Sequence, residues 1–191
     1  MTKQTIESDL SFAILGLLAQ RPMSGYDLRK VFLTTAMKAF SASPGAIYPA
    51  LRRLEKAGLI EGAVERKNTL RPRMVFTLTP GGKAALVETL MRPVTREDVI
   101  RRMNGLILRF AFMSGIIGHD GILEFLGALT REMEGYLGEL EAEFRASVPS
   151  LPFSGRAALD LGVESHRMTA RWARKTLAEF KRHHPSKGER R

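Results

Sequence analysis

The 191-residue sequence predicts a mainly α-helical fold that carries one small two-stranded β-wing. Residues 43–79 contain a helix with one apolar face, followed by two short runs that alternate between apolar and polar residues. The second half of the chain repeats apolar residues three and four apart, which is typical of long helices. Together these patterns predict a winged helix-turn-helix followed by a long-helix dimerisation bundle. A short basic helix on a packed scaffold fits the DNA major groove, so this layout favours a DNA-binding protein.

The first two predicted helices form a helical corner. A helix from about Leu10 to Gln20 is apolar on most of its circumference, as expected of a buried helix. Ser24 is placed to cap the second helix, and Asp27, three residues later, is placed to bond back to it.

The candidate reading helix begins after Ser43, which is placed to cap it, with Pro44 at the first helical position. Gly58 is placed to end it in the left-handed conformation. Its buried side is predicted to hold Ile47, Ala50, Leu51 and Leu54. Its exposed side is predicted to hold Tyr48, Arg52, Arg53 and Lys56. Pro49 lies inside the helix, where a proline costs about 3 kcal/mol, and we expect it to kink the first turn.

Two antiparallel strands are predicted on either side of a basic turn, and this hairpin is the wing. The apolar residues expected to face inwards over the helices are Ile60, Val64, Met74, Phe76 and Leu78. The turn carries Arg66, Lys67, Asn68, Arg71, Pro72 and Arg73. Thr79 and Pro80 are then placed to begin a fourth helix.

The C-terminal half is predicted to consist of long helices. Thr95 and Asp98 form another capping pattern, after which we expect a single apolar helix up to a break at Gly118. A helix from Asp120 to about Ser147 follows, with apolar residues at coiled-coil spacing, and a last helix carries alternating apolar and basic residues. The predicted regions are a winged helix-turn-helix DNA-binding domain at 1–90, a helical dimerisation and effector domain at 91–182, and a disordered basic tail at 183–191.

Charge and composition narrow the functional class. The net charge is +10, and residues 1–85 hold 13 basic and 6 acidic residues, so a polyanionic partner is favoured for the first half. Cysteine is absent, and no secretory signal or bilayer-spanning stretch is recognisable, which favours a cytoplasmic location without membrane contact. The four histidines lack metal-ligand spacing, and no glycine-rich phosphate loop is present. We therefore expect no enzyme, no metal and no cofactor.

Three blocks, AILGLLAQRPMSGYDL, GAIYPALRRLEKAGLI and RPRMVFTLTPGGKAAL, resemble the PadR family of bacterial transcriptional regulators in order and spacing. The C-terminal half resembles the extended region of the longer members. The resemblance implies a homodimeric winged-helix repressor that a small molecule releases from its operator. If it extends to the members that respond to aromatic acids, the effector is an aromatic or phenolic compound. Relatives often have glycine where this chain has Leu70, at the tip of the wing.

Three sets of candidate site residues follow. The DNA-binding candidates are Ser24, Tyr26, Ser43, Gly45, Tyr48, Pro49, Arg52, Arg53, Lys67, Arg71 and Arg73. The effector-binding candidates are Tyr26, Arg109 and His166. The dimerisation candidates are Ile122, Leu126, Leu129, Met133, Leu140, Met168 and Trp172. A two-fold dimer of this kind would present two reading helices about 34 Å apart to a palindromic operator in double-stranded DNA.

Two other functions stay open on the sequence. An architectural protein would coat any duplex with similar affinity and a steep salt dependence. A protein–protein adaptor would use the winged helix to bind another protein and would have negligible affinity for DNA. Arg52 and Arg53 have an alternative interpretation as a solvated helix face.

Overall fold

The computed structural model describes residues 6, 8–35, 43–65 and 72–184 of the chain. It divides into two compact units, Met1–Leu90 and Met91–Arg191. In the described residues no helix is both long and apolar enough to cross a membrane.

The N-terminal unit begins with helix α1 (Asp9–Gln20), strand β1 (Met23–Ser24) and helix α2 (Gly25–Thr34). The predicted capping box of α2 is confirmed. The Asp27 backbone N–H donates to Ser24 Oγ at 3.2 Å, and the Asp27 carboxylate accepts from the Ser24 backbone N–H at 3.1 Å. Helix α1 is buried over most of its surface, as its apolar circumference predicted.

Helix α3 (Pro44–Lys56) is the candidate reading helix, and its two ends differ in how well they were predicted. Gly58 has φ +67°, as predicted, and the N–H groups of Gly58 and Leu59 donate to the carbonyls of Glu55 and Leu54, each at 2.9 Å. This pattern is a Schellman ending. At the other end the prediction was wrong, because Ser43 makes no side-chain capping bond. Its backbone carbonyl accepts the N–H of Ala46 at 3.0 Å instead, which satisfies the donor that the hydroxyl would have met.

Strands β2 (Ile60–Glu65) and β3 (Arg73–Leu78) form the predicted antiparallel hairpin. The sheet nevertheless has three strands, in the order β1-β3-β2, because Met23 pairs with Phe76 and Ser24 with Val75. The expectation of inward-facing Val64 and Met74 was wrong, since these paired residues are 55% and 46% exposed. They form the second-to-last pair of the hairpin before the turn, beyond the pairs that contain the buried Ile60 and Phe76.

Helix α4 (Pro80–Met91) begins at a tight junction with the end of α3. Thr79 caps it as predicted, because its Oγ1 accepts the Gly82 N–H at 3.0 Å while its hydroxyl donates to the Gly58 carbonyl at 2.7 Å. A Cβ on Gly82 would lie 1.9 Å from the Leu59 carbonyl oxygen. Glycine is therefore required where the two backbones approach.

The C-terminal unit contains α5 (Arg96–Arg101), α6 (Met103–Met113), α7 (His119–Ser147), a 3₁₀ turn (Val148–Ser150) and α8 (Phe153–His183). The Thr95–Asp98 capping box is confirmed. The single helix expected up to Gly118 was wrong: the chain breaks at Arg102, which has φ −134° and ψ 30°, and α6 ends at Met113 before Gly115 at φ +78°. Asn104 and Gly105 in the first turn of α6 are poor helix formers, which favours a break beside them.

Four of the predicted dimerisation residues are buried within a single chain. Ile122, Leu126, Leu129 and Met133 have exposed fractions of 7%, 0%, 0% and 0%, so their assignment to a dimer interface was wrong. Helices α5, α6 and α8 of the same chain pack on α7 and cover them. The spacing correctly indicated an apolar stripe, but the stripe faces the chain's own helices.

The last helix extends into the segment expected to be disordered. Helix α8 runs through His183, and the His184 carbonyl lies 2.6 Å from Nε2 of His119 at the start of α7. The Asp120 carboxylate, 2.9 Å from Nδ1 of His119, raises the pKa of that imidazole. Basic residues in the last turn of α8 also stabilise the helix, because its C-terminal end carries partial negative charge. Residues 185–191 lie outside the described part of the chain.

Replacing Leu126 with alanine tests the intrachain role of the α7 stripe. We expect Leu126→Ala to lower the free energy of unfolding of the C-terminal unit by about 2 to 5 kcal/mol, because it leaves a cavity in a packed core. Urea unfolding followed by the fluorescence of Trp172, the chain's single tryptophan, measures this loss. Ile100→Ala, at a side chain 44% exposed, is the matched control with a loss below about 1 kcal/mol. Equal effects of the two substitutions would contradict the assignment.

Candidate nucleic-acid interface

One side of α3 is buried and the opposite side carries exposed basic and aromatic residues. Ile47, Ala50, Leu51 and Leu54 are at most 4% exposed, as predicted. The predicted exposed residues Tyr48, Arg52, Arg53 and Lys56 are exposed, with Tyr48 at 46%. The packed side holds the helix in place, and the exposed edge offers two guanidinium forks and a phenol to a partner.

The first turn of α3 continues this edge at the N-terminus of the helix. Ser43 and Gly45 are exposed, and Pro49 is half-buried inside a helix that continues through it. The N-terminal turn of a helix carries partial positive charge, which favours phosphate. The kink expected at Pro49 stays a prediction. Tyr26, near the start of α2, is 67% exposed and also belongs to the N-terminal unit.

The side chain of Ser24 serves the capping box, which corrects its assignment as a DNA contact. Ser24 is 6% exposed, and its hydroxyl donates to the Asp27 carboxylate at 2.7 Å. This hydrogen bond lowers the pKa of Asp27 below its usual 3.8, and the nearby Arg73 guanidinium adds to the effect. The hydroxyl is therefore committed inside the fold.

Arg73, at the base of the basic turn, is held by two carboxylates. Its Nε and Nη2 lie 2.8 and 2.7 Å from Oε2 of Glu65, the residue directly opposite on β2, and its Nη1 lies 3.8 Å from the Asp27 carboxylate. The hydrogen bond to Glu65 raises the pKa of the guanidinium. Arg73 is still 55% exposed, so a phosphate that met it would compete with Glu65. The other basic wing candidates, Lys67 and Arg71, lie outside the described residues.

Sequence reasoning overlooked Glu65, although the register of the hairpin contained the signal. Once Ile60 is paired with Leu78, counting along the strands places Glu65 opposite Arg73. The alternation pattern alone does not fix that register.

Two of the effector candidates lie in the C-terminal unit and have neighbours within it. Arg109 is 5% exposed, donates from Nη2 to the Arg92 carbonyl, and lies over the Phe125 ring at 5.1 Å from the centroid. Burial lowers the pKa of Arg109 to about 10, so it remains a cation at neutral pH. The ring of His166 meets Tyr136 edge-on at 5.0 Å, and its Nδ1 lies 2.8 Å from the Gly162 carbonyl.

Residues 14–88 match the family model described as the transcriptional regulator PadR-like family. The match contains α2, α3, the hairpin and most of α4. Residues 14–88 are therefore a PadR-like region of the chain.

Two curated relatives match part of this chain. The negative transcriptional regulator PadR of Bacillus subtilis is 36% identical over 93 residues, which are 47% of this chain and 51% of that protein. The transcriptional regulator Rv3488 of Mycobacterium tuberculosis is 45% identical over 49 residues, which are 26% of this chain and 45% of that protein. The chain thus spans about half the length of the curated relatives it matches.

Among solved structures, Bacillus subtilis PadR in complex with operator DNA is 24% identical, with a TM-score of 0.42 over 90% of this chain and 98% of that one. The same protein in complex with p-coumaric acid is 24% identical, with a TM-score of 0.40 over 91% and 96%. Likenesses at this level do not bear on function. The family model that residues 14–88 match describes transcriptional regulators rather than enzymes.

Asp27 makes a pH-dependent contribution to stability. Because its pKa is lowered in the folded chain, the contribution is full above about pH 4 and is lost as the pH falls through the folded value. At pH 7 we expect Asp27→Asn to lower the free energy of unfolding by about 0.5 to 1 kcal/mol, and the difference from the wild type should shrink towards pH 2. Urea unfolding followed by circular dichroism measures both. Glu61→Gln, an exposed glutamate on β2, is the control, and a pH-independent gap for Asp27→Asn would refute the linkage.

Proposed function

We propose that this PadR-like chain is a dimeric transcriptional regulator that binds operator DNA through the exposed edge of α3 and the wing. The observation that carries the proposal is the two-sided character of α3, with Leu51 and Leu54 buried while Arg52 and Arg53 point away from the core. Arginine forks bind guanine edges or phosphates in pairs of hydrogen bonds. Tyr48, Ser43 and Gly45 extend the same edge, where the two hydroxyls and the Gly45 backbone N–H suit phosphate.

More specifically, the chain is proposed to be a repressor that acts at a palindromic operator in the bacterial cytoplasm. The Bacillus subtilis relative is named a negative transcriptional regulator, which supports repression. A two-fold dimer would place two α3 helices about 34 Å apart, one helical turn of DNA. Most of the excess positive charge lies in residues 1–85, with the proposed reading surface.

Dimerisation is proposed on the exposed face of α8. Leu161 and Met168 are 69% and 61% exposed and lie seven residues apart, so they share one side of the helix. Leu140 and Trp172 are half-buried and remain candidates at its border. Ion pairs from Arg167 to Glu141 and from Arg174 to Glu134 hold α8 to α7. Such pairing leaves the apolar face of α8 available to a second copy.

The proposed effector is an aromatic carboxylate that meets the buried cation Arg109. The Phe125 ring lies under the guanidinium and stacks on Phe110 at 6.1 Å, and Trp172 meets Phe110 edge-on at 6.0 Å. A buried cation beside aromatic rings suits a ligand with a carboxylate and a ring. The solved complex of Bacillus subtilis PadR with p-coumaric acid gives the class of compound to test. Tyr26 and His166 stay candidates without a role of their own.

Fluorescence anisotropy of the purified chain tests the proposal. Duplexes that tile the DNA upstream of its own gene are compared with scrambled duplexes over a salt series. We expect one tile to bind at least about 10³-fold more tightly than the scrambled set near physiological salt. Equal binding to every duplex with a steep salt slope would instead indicate an architectural protein, and absent binding would favour the adaptor.

Arg52 is the first residue to substitute on the reading edge. We expect Arg52→Ala to weaken binding to the preferred duplex by about 1 to 3 kcal/mol if the side chain reads a base. An equal loss on preferred and scrambled duplexes would make it a phosphate contact. Lys83→Ala, which removes one exposed positive charge from α4, is the matched control. An unchanged Kd for Arg52→Ala on every duplex would remove Arg52 from the interface.

The dimer face of α8 is tested by introducing charge. We expect Met168→Glu or Leu161→Glu to raise the Kd for dimerisation at least about tenfold, because a carboxylate would be buried against an apolar partner. Sedimentation velocity over a concentration series measures it. Ala178→Glu, at an exposed position on another side of α8, is the control. A dimer that survives both substitutions would exclude this face.

A further inference from the structure

Gly25, the first residue of α2, supports the ring of Tyr48 on α3. A Cβ built on Gly25 would lie 2.7 Å from Cε1 and 3.3 Å from Cζ of Tyr48. Real Cβ atoms do not approach a neighbour to 2.7 Å, so any side chain at position 25 displaces the ring. The two crowded atoms belong to the hydroxyl-bearing end of the phenol, which is the end that a DNA contact would use.

The backbone gives no reason for a glycine at position 25. Among the described residues, a left-handed φ occurs at Gly58 and Gly115 and not at Gly25. Alanine is also the better helix former. Space for the Tyr48 ring is therefore the local reason for glycine, since the next neighbour, Cδ1 of Leu51, would be at 3.4 Å, an ordinary contact.

The support that Gly25 offers is fixed in the fold. Its neighbour Ser24 pairs with Val75 of the wing and caps α2 through Asp27. Gly25 is buried while Tyr48 is 46% exposed, so one side of the ring rests on α2 and the other is accessible. The orientation of the Tyr48 phenol thus depends on the absence of a side chain at Gly25.

We infer that Gly25 is a positioning residue for DNA recognition: by lacking a Cβ it seats the Tyr48 ring so that the hydroxyl end faces the duplex. The inference rests on the proposed function and adds to it a residue that does not itself touch DNA. It predicts that a side chain at position 25 weakens DNA binding only when Tyr48 is present.

A double-mutant cycle measures this dependence by fluorescence anisotropy. The probe is the duplex that the wild-type chain enriches most from a random-sequence library. We expect Gly25→Ala to raise the Kd about three- to tenfold, as for one lost hydrogen bond, and to change it less than about twofold in a Tyr48→Ala background. Gly81→Ala is the matched control, because Gly81 lies in the first turn of α4 and an added Cβ there comes no closer than 3.6 Å to its neighbours. An equal loss with and without Tyr48, or no loss at all, would overturn the inference.

The position of the ring is measured without DNA in chains labelled with ring-¹³C tyrosine. The chain has 3 tyrosines, and Tyr48→Phe identifies the resonance of Tyr48. We expect Gly25→Ala to shift that resonance and to leave Tyr136 unchanged, and an unmoved Tyr48 resonance would overturn the inference. If the wild-type chain enriched no duplex, the proposed function would fail, whereas this resonance would still decide whether Gly25 positions Tyr48.

The variants at Gly25 and Tyr48 also provide the control for loss of folding. Were Gly25→Ala to unfold the chain, the variant that also carries Tyr48→Ala would have to fold, because the colliding ring is gone. An unfolded double variant by circular dichroism would overturn the inference.

Discussion

The two-residue strand at Met23 and Ser24 is the contact on which the N-terminal unit depends. Its pairing with Val75 and Phe76 joins the wing to the start of α2, and Ser24 at once begins that helix through the capping box with Asp27. Backbone pairing and capping satisfy polar groups that burial would otherwise leave costly. Because Gly25 follows directly, the same short segment also sets where the Tyr48 ring rests. The wing, α2 and the exposed edge of α3 are thus held by adjacent residues.

The arginines of the proposed interface differ in how available they are to bind DNA. Arg52 and Arg53 are exposed on a helix, whereas Arg73 is already bonded to Glu65 across the hairpin. An exposed ion pair contributes little to stability, so its larger effect is on what Arg73 can bind. A phosphate at Arg73 must compete with the Glu65 carboxylate. The exposed guanidinium groups of Arg52 and Arg53 on α3 are therefore the better candidates for contact with DNA. This division fits a wing that supports recognition by α3.

The sequence predicted the interactions between residues close together in the chain and missed those between residues far apart. The capping boxes at Ser24 and Thr95 and the left-handed Gly58 depend on residues within a few positions, so the pattern contains the whole interaction. A two-residue strand has too little alternation to be recognised, and its partner lies some fifty residues away. The stripe containing Leu126 was recognised as apolar, but spacing alone does not tell whether a partner helix belongs to the same chain or to a second copy. The exposure of Arg52 and Arg53 followed from helical periodicity, whereas the bond between Arg73 and Glu65 required the register.

The claim that the α3 edge meets DNA is tested most directly by the response of the three tyrosines to a duplex. Tyr48 lies on the α3 edge, and Tyr136 lies in the C-terminal unit against His166. The measurement is the ring-¹³C spectrum of the wild-type chain before and after the library-enriched duplex is added at about 0.15 M salt. If the α3 edge binds the duplex, the Tyr48 resonance shifts in proportion to the bound fraction while the Tyr136 resonance keeps its position. A shift of Tyr136 with an unmoved Tyr48 would contradict it, because the duplex would then meet the chain away from α3.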